Sequence, residues 1–161
     1  MINIYLDTSV INFLFADDAP EMKEITIDFF NNFIAKGKYE TYISEFVLQE
    51  IMKTNNSSKR EALIDAIEKF DLNLLEISDY KAIDDLATYY IANGAIPEKK
   101  RFDALHVACS VIHHIDYLVS WNYKHLANVN RERKITALNL ANNYLHPVRI
   151  ITPLELMDYG S

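Results

Sequence analysis

Apolar runs of strand length alternate with apolar stripes at helical spacing along the whole chain, and this alternation constrains the fold more than any single motif. Ile2, Ile4, Tyr5 and Leu6 form the first run. Tyr39 to Ile43, Leu72 to Ile77, Tyr117 to Trp121 and Val148 to Ile151 form the later ones. The first run is apolar at nearly every position, the pattern of a strand covered on both faces. Repeated strand–helix alternation predicts an α/β protein built on a mainly parallel sheet. At 161 residues the chain is expected to form a single domain, 1–161.

Between the strands, local signals place the helices. Asp7 stops the first run, and Thr8 and Ser9 open a short helix expected over about Ser9 to Phe15. Asp17, Asp18 and Pro20 mark a restart, with Pro20 early in a second helix and Gly37 at its end. Ser44 caps a third helix that carries Glu50 among Phe46, Val47, Ile51 and Met52. Ser58 and Glu61 read as a capping box for a fourth. Ser78 or Asp79 caps a fifth, which ends at Asn93-Gly94. Asp103 opens a long helix whose expected core stripe is Phe102, Leu105, Cys109 and Ile112. A further helix is expected from about Arg131 to Tyr144, and Pro153 begins a short last one.

Composition excludes several classes. Half the residues are hydrophobic, so the chain folds. A net charge of −7 argues against a protein that coats nucleic acid, though not against an enzyme that meets it at one local site. The one cysteine, Cys109, cannot form an internal disulfide and reads as a small core residue. No signal-peptide pattern and no membrane-spanning apolar run are present, so a cytoplasmic protein with no membrane partner is expected.

Four polar residues stand out by position. Asp7 and Asn122 each follow a strand, Glu50 sits within the helix after the second strand, and Asp103 opens the helix before the fourth. If the first and fourth strands are neighbours, all four converge on one sheet edge. Ligands gather at the carboxyl ends of strands in open parallel sheets. Clustered carboxylates repel unless a cation neutralises them, and hard divalent ions prefer such oxygens. Metal-assisted phosphodiester hydrolysis is the natural chemistry of such a cluster. Taken singly, Asp7 reads equally as the cap of the helix that follows it, and Glu50 as a solvent-facing residue.

Tyr5-Leu6-Asp7-Thr8-Ser9-Val10-Ile11 resembles the first motif of PIN-domain nucleases. Ser44 through Glu50-Ile51 resembles their second motif, and Asp103-Ala104-Leu105-His106-Val107-Ala108 their third. Leu118-Val119-Ser120-Trp121-Asn122 resembles their fourth, in the version with Trp-Asn in place of an acid. The motifs come in the family's order and span nearly the whole chain. The resemblance implies a three-layer α/β/α sandwich and an endoribonuclease dependent on Mg²⁺ or Mn²⁺. Asp7, Glu50 and Asp103 would form the acidic cluster, Asp7 and Asp103 as direct metal ligands and Glu50 acting partly through water. Many single-domain members are VapC-like toxins, which act on RNA, pair with a small antitoxin and often form homodimers.

Asn122 departs from the four-acid pattern. Its amide is neutral, so affinity for a second metal should fall. The alternative is therefore a weak or inactive PIN-like module that binds a protein or RNA partner. Thr8, Ser9 or Asn12 could face the site. Lys99, Lys100 and Arg101 before Asp103, and Lys124, Arg131, Arg133 and Lys134 after Asn122, could hold phosphates. His106 is expected to support the cluster rather than bind metal, and Trp121 to be a core residue.

Overall fold

The computed structural model describes residues 1–159. Five strands form one sheet: β1 (Asn3–Leu6), β2 (Glu40–Ile43), β3 (Asn73–Leu74), β4 (Tyr117–Val119) and β5 (Arg149–Ile151). Their order is β3-β2-β1-β4-β5 and every pairing is parallel. The chain builds outward from β1 through β2 to β3, then crosses back to add β4 and β5 on the other side. The reversal falls between β1 and β4, where the outgoing connections diverge and leave a crevice at the carboxyl ends. Leu6 lies opposite Val119, so Asp7 emerges beside Ser120 and close to Asn122.

The helices are α1 (Thr8–Asn12), α2 (Pro20–Phe29), α3 (Glu45–Met52), α4 (Ser57–Lys69), α5 (Tyr80–Ala92), α6 (Arg101–Ile112), α7 (Val129–Ala141) and α8 (Pro153–Tyr159). They cover both faces of the sheet. Ile4, Tyr5 and Leu6 on consecutive positions of β1 are therefore all fully buried. The architecture is the three-layer α/β/α sandwich expected from the sequence.

Several boundaries differ from the sequence reading. The third strand is two residues long rather than six, because it is an edge strand with a ladder on one side only. Leu72, Leu75 and Ile77 still pack against the core without extended pairing. The first helix is α-helical only to Asn12 and tightens to a 3₁₀ turn over Phe13–Phe15. The second widens into a π turn at Phe30–Ile34, where the Ala35 N–H reaches the Phe30 carbonyl. The fourth is capped by Asn56, whose Oδ1 accepts from the Lys59 N–H at 3.0 Å, and not by the Ser58 box. The helix after β4 begins at Val129 and ends at Ala141, with Asn128 as its cap. Within α6, Ala104, Val107, Ala108 and Val111 are buried, while Phe102, Leu105 and Ile112 lie only partly covered. Small residues let this helix sit close against its neighbours, so almost all of its circumference is enclosed. Cys109 is fully buried within it, as expected, and burial pushes its thiol up to about 12.

No helix is long and apolar enough to cross a membrane.

Candidate active site

Asp7, Glu50, Asp103 and Asn122 come from four separate segments and line one cleft of about 570 Å³. Each arrives by a different local device. Asp7 follows β1 directly, at the position that would cap α1, yet its side chain makes no capping bond. It accepts instead from the Ser9 hydroxyl at 2.5 Å. Ser9 Oγ in turn accepts from the Trp121 N–H at 3.0 Å, which ties the ends of β1 and β4 together. Asp7 is thus the N-cap residue of α1 by position, with its side chain turned to Ser9 rather than to the helix N–H groups.

Glu50 sits on the second turn of α3, started by Ser44, whose Oγ accepts from the Phe46 N–H. It is neither free nor simply solvated. Its Oε1 accepts from Thr8 Oγ1 and pairs with His106 Nε2, both at 2.6 Å. Asp103 lies in the first turn of α6, where the helix dipole favours an acid. Its Oδ2 accepts from Asn122 Nδ2 at 2.9 Å.

The orientation of Asn122 is fixed by its other end. Its Oδ1 accepts from the His125 N–H at 3.0 Å, and a backbone N–H can only donate. The amide nitrogen must therefore face Asp103. Both ends of the side chain are engaged, so Asn122 holds Asp103 in place rather than offering an oxygen to an ion. A carboxylate here would stand against Asp103 with no proton between them.

The electrostatics separate the three acids. Burial pushes Asp7 above its ordinary value of 3.8, more than His106 and the Ser120 and Ser9 hydrogen bonds pull it down. Asp103 is pushed up to about 6, by burial first and by the Asp7 charge second. Burial also pushes Glu50 up, but the His106 hydrogen bond and charge, the Thr8 hydroxyl and Lys100 outweigh it. Glu50 ends below its ordinary value. Glu50 is thus held ionised, while Asp7 and Asp103 carry charge that the protein leaves under-compensated. Among the described residues no three His, Cys, Asp or Glu side chains close into a metal-holding cage. What the cleft offers is a pair of buried carboxylates with a third fixed nearby.

Cations rim the same cleft. Lys99, Lys100 and Lys124 line it, with His125 beside them. Burial, then Lys124, Arg131, Lys100 and Lys99 in turn, hold the His125 imidazole below its ordinary range, so four positive side chains act on one ring. Arg101 is turned away, onto Asp84 and Thr88. Lys134 bonds the Gly94 carbonyl in an adjoining groove. Asn12 lines the cleft. Trp121 is buried, donating its indole N–H to Thr26 Oγ1 at 2.9 Å.

Sequence reasoning missed Tyr5 and Ser120. Tyr5 reads as an apolar strand residue, and nothing in the sequence shows that its hydroxyl meets His106 and Ser44. Ser120 bonds the Asn122 N–H and acts on Asp7, a role that exists only because β4 lies beside β1.

No protein-family model matches the chain, and no curated protein matches it. Among solved structures, the chain is similar to VapBC2 from Rickettsia felis bound to a DNA fragment from their promoter. The TM-score is 0.57 at 15% identity, over 94% of this chain and 98% of that one. At that identity the likeness concerns the fold, and it agrees with the PIN-like sandwich.

Proposed function

We propose that the protein is a metal-dependent endoribonuclease of the PIN type, the toxin of a toxin–antitoxin pair. The observation that carries this reading is the convergence of Asp7, Glu50, Asp103 and Asn122 in one cleft at the β1–β4 switch point. The structural likeness to VapBC2, a complex, supports a small protein antitoxin as partner.

The donor set fits Mg²⁺ or Mn²⁺. Magnesium keeps several waters and is usually held by one or two carboxylates plus substrate phosphate, so a closed cage is not required. Asp7 and Asp103 would hold the ion directly, and Glu50 through water. Burial raises both Asp residues, with neighbouring acid charge behind it, and a divalent cation favours their ionised forms against both effects. When bound, the ion supplies Lewis-acid polarisation of a phosphoryl oxygen and activation of water. The chain's own residues do the rest. Ser9 and Asn122 orient Asp7 and Asp103. Thr8 and His106 hold Glu50 ionised, ready to accept a proton or order a water. Lys99, Lys100 and Lys124 stand where phosphates flanking the scissile bond would lie, offsetting the repulsion between a polyanion and a chain of net charge −7. Asn122 adds no charge, which favours one ion over two.

The test is cleavage of a structured RNA pool by the purified protein with Mn²⁺, with Mg²⁺ and with a chelator. Cleavage is expected with either ion, to stop with chelator, and to be lost in Asp7→Asn and Asp103→Asn variants that retain the fold. Cleavage that persists in both variants would overturn the assignment.

A further inference from the structure

We propose that His106 is the positioning residue of this site, holding the three acids in mutual register through a closed hydrogen-bond circuit with Glu50, Tyr5 and Ser44. The inference rests on the nuclease reading above for its functional consequence, though not for its geometry.

The circuit runs as follows. His106 Nε2 meets Glu50 Oε1 at 2.6 Å, and His106 Nδ1 meets the Tyr5 hydroxyl at 2.6 Å. The Tyr5 hydroxyl meets Ser44 Oγ at 2.6 Å, and Ser44 Oγ accepts from the Phe46 N–H at 3.1 Å. Phe46 and Glu50 both lie on α3, so the path leaves that helix at its cap and returns to it at the acid. Each element it visits carries one acid of the cleft. Tyr5 is two residues before Asp7 on the β1 segment, Ser44 begins the helix of Glu50, and His106 is one turn after Asp103 on α6. Sliding any one element against the others breaks a link.

Proton accounting makes the arrangement directional. An ionised carboxylate only accepts, so Nε2 must carry a hydrogen whatever the charge on the ring. The Tyr5 hydroxyl can donate and accept at once, and its two contacts use both capacities. Ser110 Oγ bonds the His106 carbonyl at 2.8 Å and further fixes the helix turn beneath the ring. A histidine fully buried among apolar groups would ordinarily be satisfied inside the core. Here one nitrogen is satisfied by the core and the other by an acid whose side chain is 28% exposed in the cleft. Thr8 donates to the same oxygen, Oε1. Among the described residues Oε2 receives no hydrogen bond, so it is the oxygen left for the cleft.

Two isosteric substitutions separate positioning from packing. In His106→Gln the amide nitrogen falls where Nε2 was, keeping the donor to Glu50. In His106→Asn it falls where Nδ1 was, keeping only the Tyr5 contact. Losing a partner that orients a ligand typically costs about 10- to 100-fold in activity. His106→Asn is therefore expected to lose about that much in kcat with KM within about twofold, and His106→Gln to recover most of it. Equal kcat in the two variants would overturn the proposal. Nitrogen NMR of ¹⁵N-histidine-labelled wild-type protein provides a readout free of catalysis. A hydrogen on His106 Nε2 whose resonance shifts in Glu50→Gln is expected. A ring bare at Nε2, or a signal indifferent to Glu50→Gln, would refute the circuit even if both His106 variants failed to fold. If wild-type protein cleaves no RNA, the nuclease reading fails while the NMR result still decides the circuit.

Discussion

Asp103→Asn should stabilise the metal-free protein. Asp103 is pushed from 3.8 to about 6 in the folded chain, by burial first and the Asp7 charge second. A raised carboxyl binds its proton more tightly folded than unfolded. Between pH 3.8 and about 6 the native state therefore carries more protons, and stability falls as pH rises through that window. Roughly two units at about 1.36 kcal/mol each give an upper bound of about 3 kcal/mol. Asp103 keeps some contact with water, and screening reduces this to about 2 kcal/mol. The Asn variant removes the charge and keeps the bond, since its Oδ1 can accept from Asn122 Nδ2 as the acid does. At about 3 °C per kcal/mol for a chain of this size, the expected gain in Tm is about 6 °C. Thermal unfolding in chelator at pH 4 and pH 8 checks it. The two proteins should match at pH 4, the variant should lead at pH 8, and Mn²⁺ should narrow the gap. A variant less stable than wild type at pH 8, or a gain independent of pH, would refute the reasoning.

Asn122→Asp exchanges the donor on Asp103 for a second carboxylate, with the His125 N–H still satisfied. A loss of about 1–3 kcal/mol is expected in chelator at pH 8, with little loss at pH 4, measured by urea unfolding. Asn56→Ala should cost about 1 kcal/mol by removing the cap of α4, while Ser58→Ala should stay within about 0.5 kcal/mol. Equal effects of the two, read from chemical denaturation, would restore the Ser58 box as the cap.

Much of this molecule was legible in the sequence because its signals are local. Alternating apolar patterns reveal strand and helix, and Pro20, Ser44, Asp79 and Gly94 mark helix ends through chemistry confined to a turn. The four cleft residues were found for the same reason, each standing at a strand end or in the helix beyond. Where the sequence misled, a tertiary term had overridden a local one. Leu72 to Ile77 has strand composition, but an edge position gives it ladder partners for only two residues. Phe102, Leu105 and Ile112 have the larger apolar side chains of α6 and pack at the margin of the core, while Ala104, Val107, Ala108 and Val111 take the fully buried positions.

By itself, then, the sequence determined an α/β chain with acids at the ends of its elements, because periodicity and capping act within a few residues. Only the tertiary structure decided what those acids experience. Placing β1 beside β4 puts Ser120 within reach of Asp7 and the Trp121 N–H within reach of Ser9, and packing α6 beside the end of β4 brings Asn122 onto Asp103. Packing α6 against α3 and β1 turns the buried His106 into the partner of Glu50 and the buried Tyr5 into the partner of His106. Charge, desolvation and hydrogen bonding depend on neighbours distant in sequence, such as Tyr5 and His106 at 101 residues apart, and no local pattern encodes them.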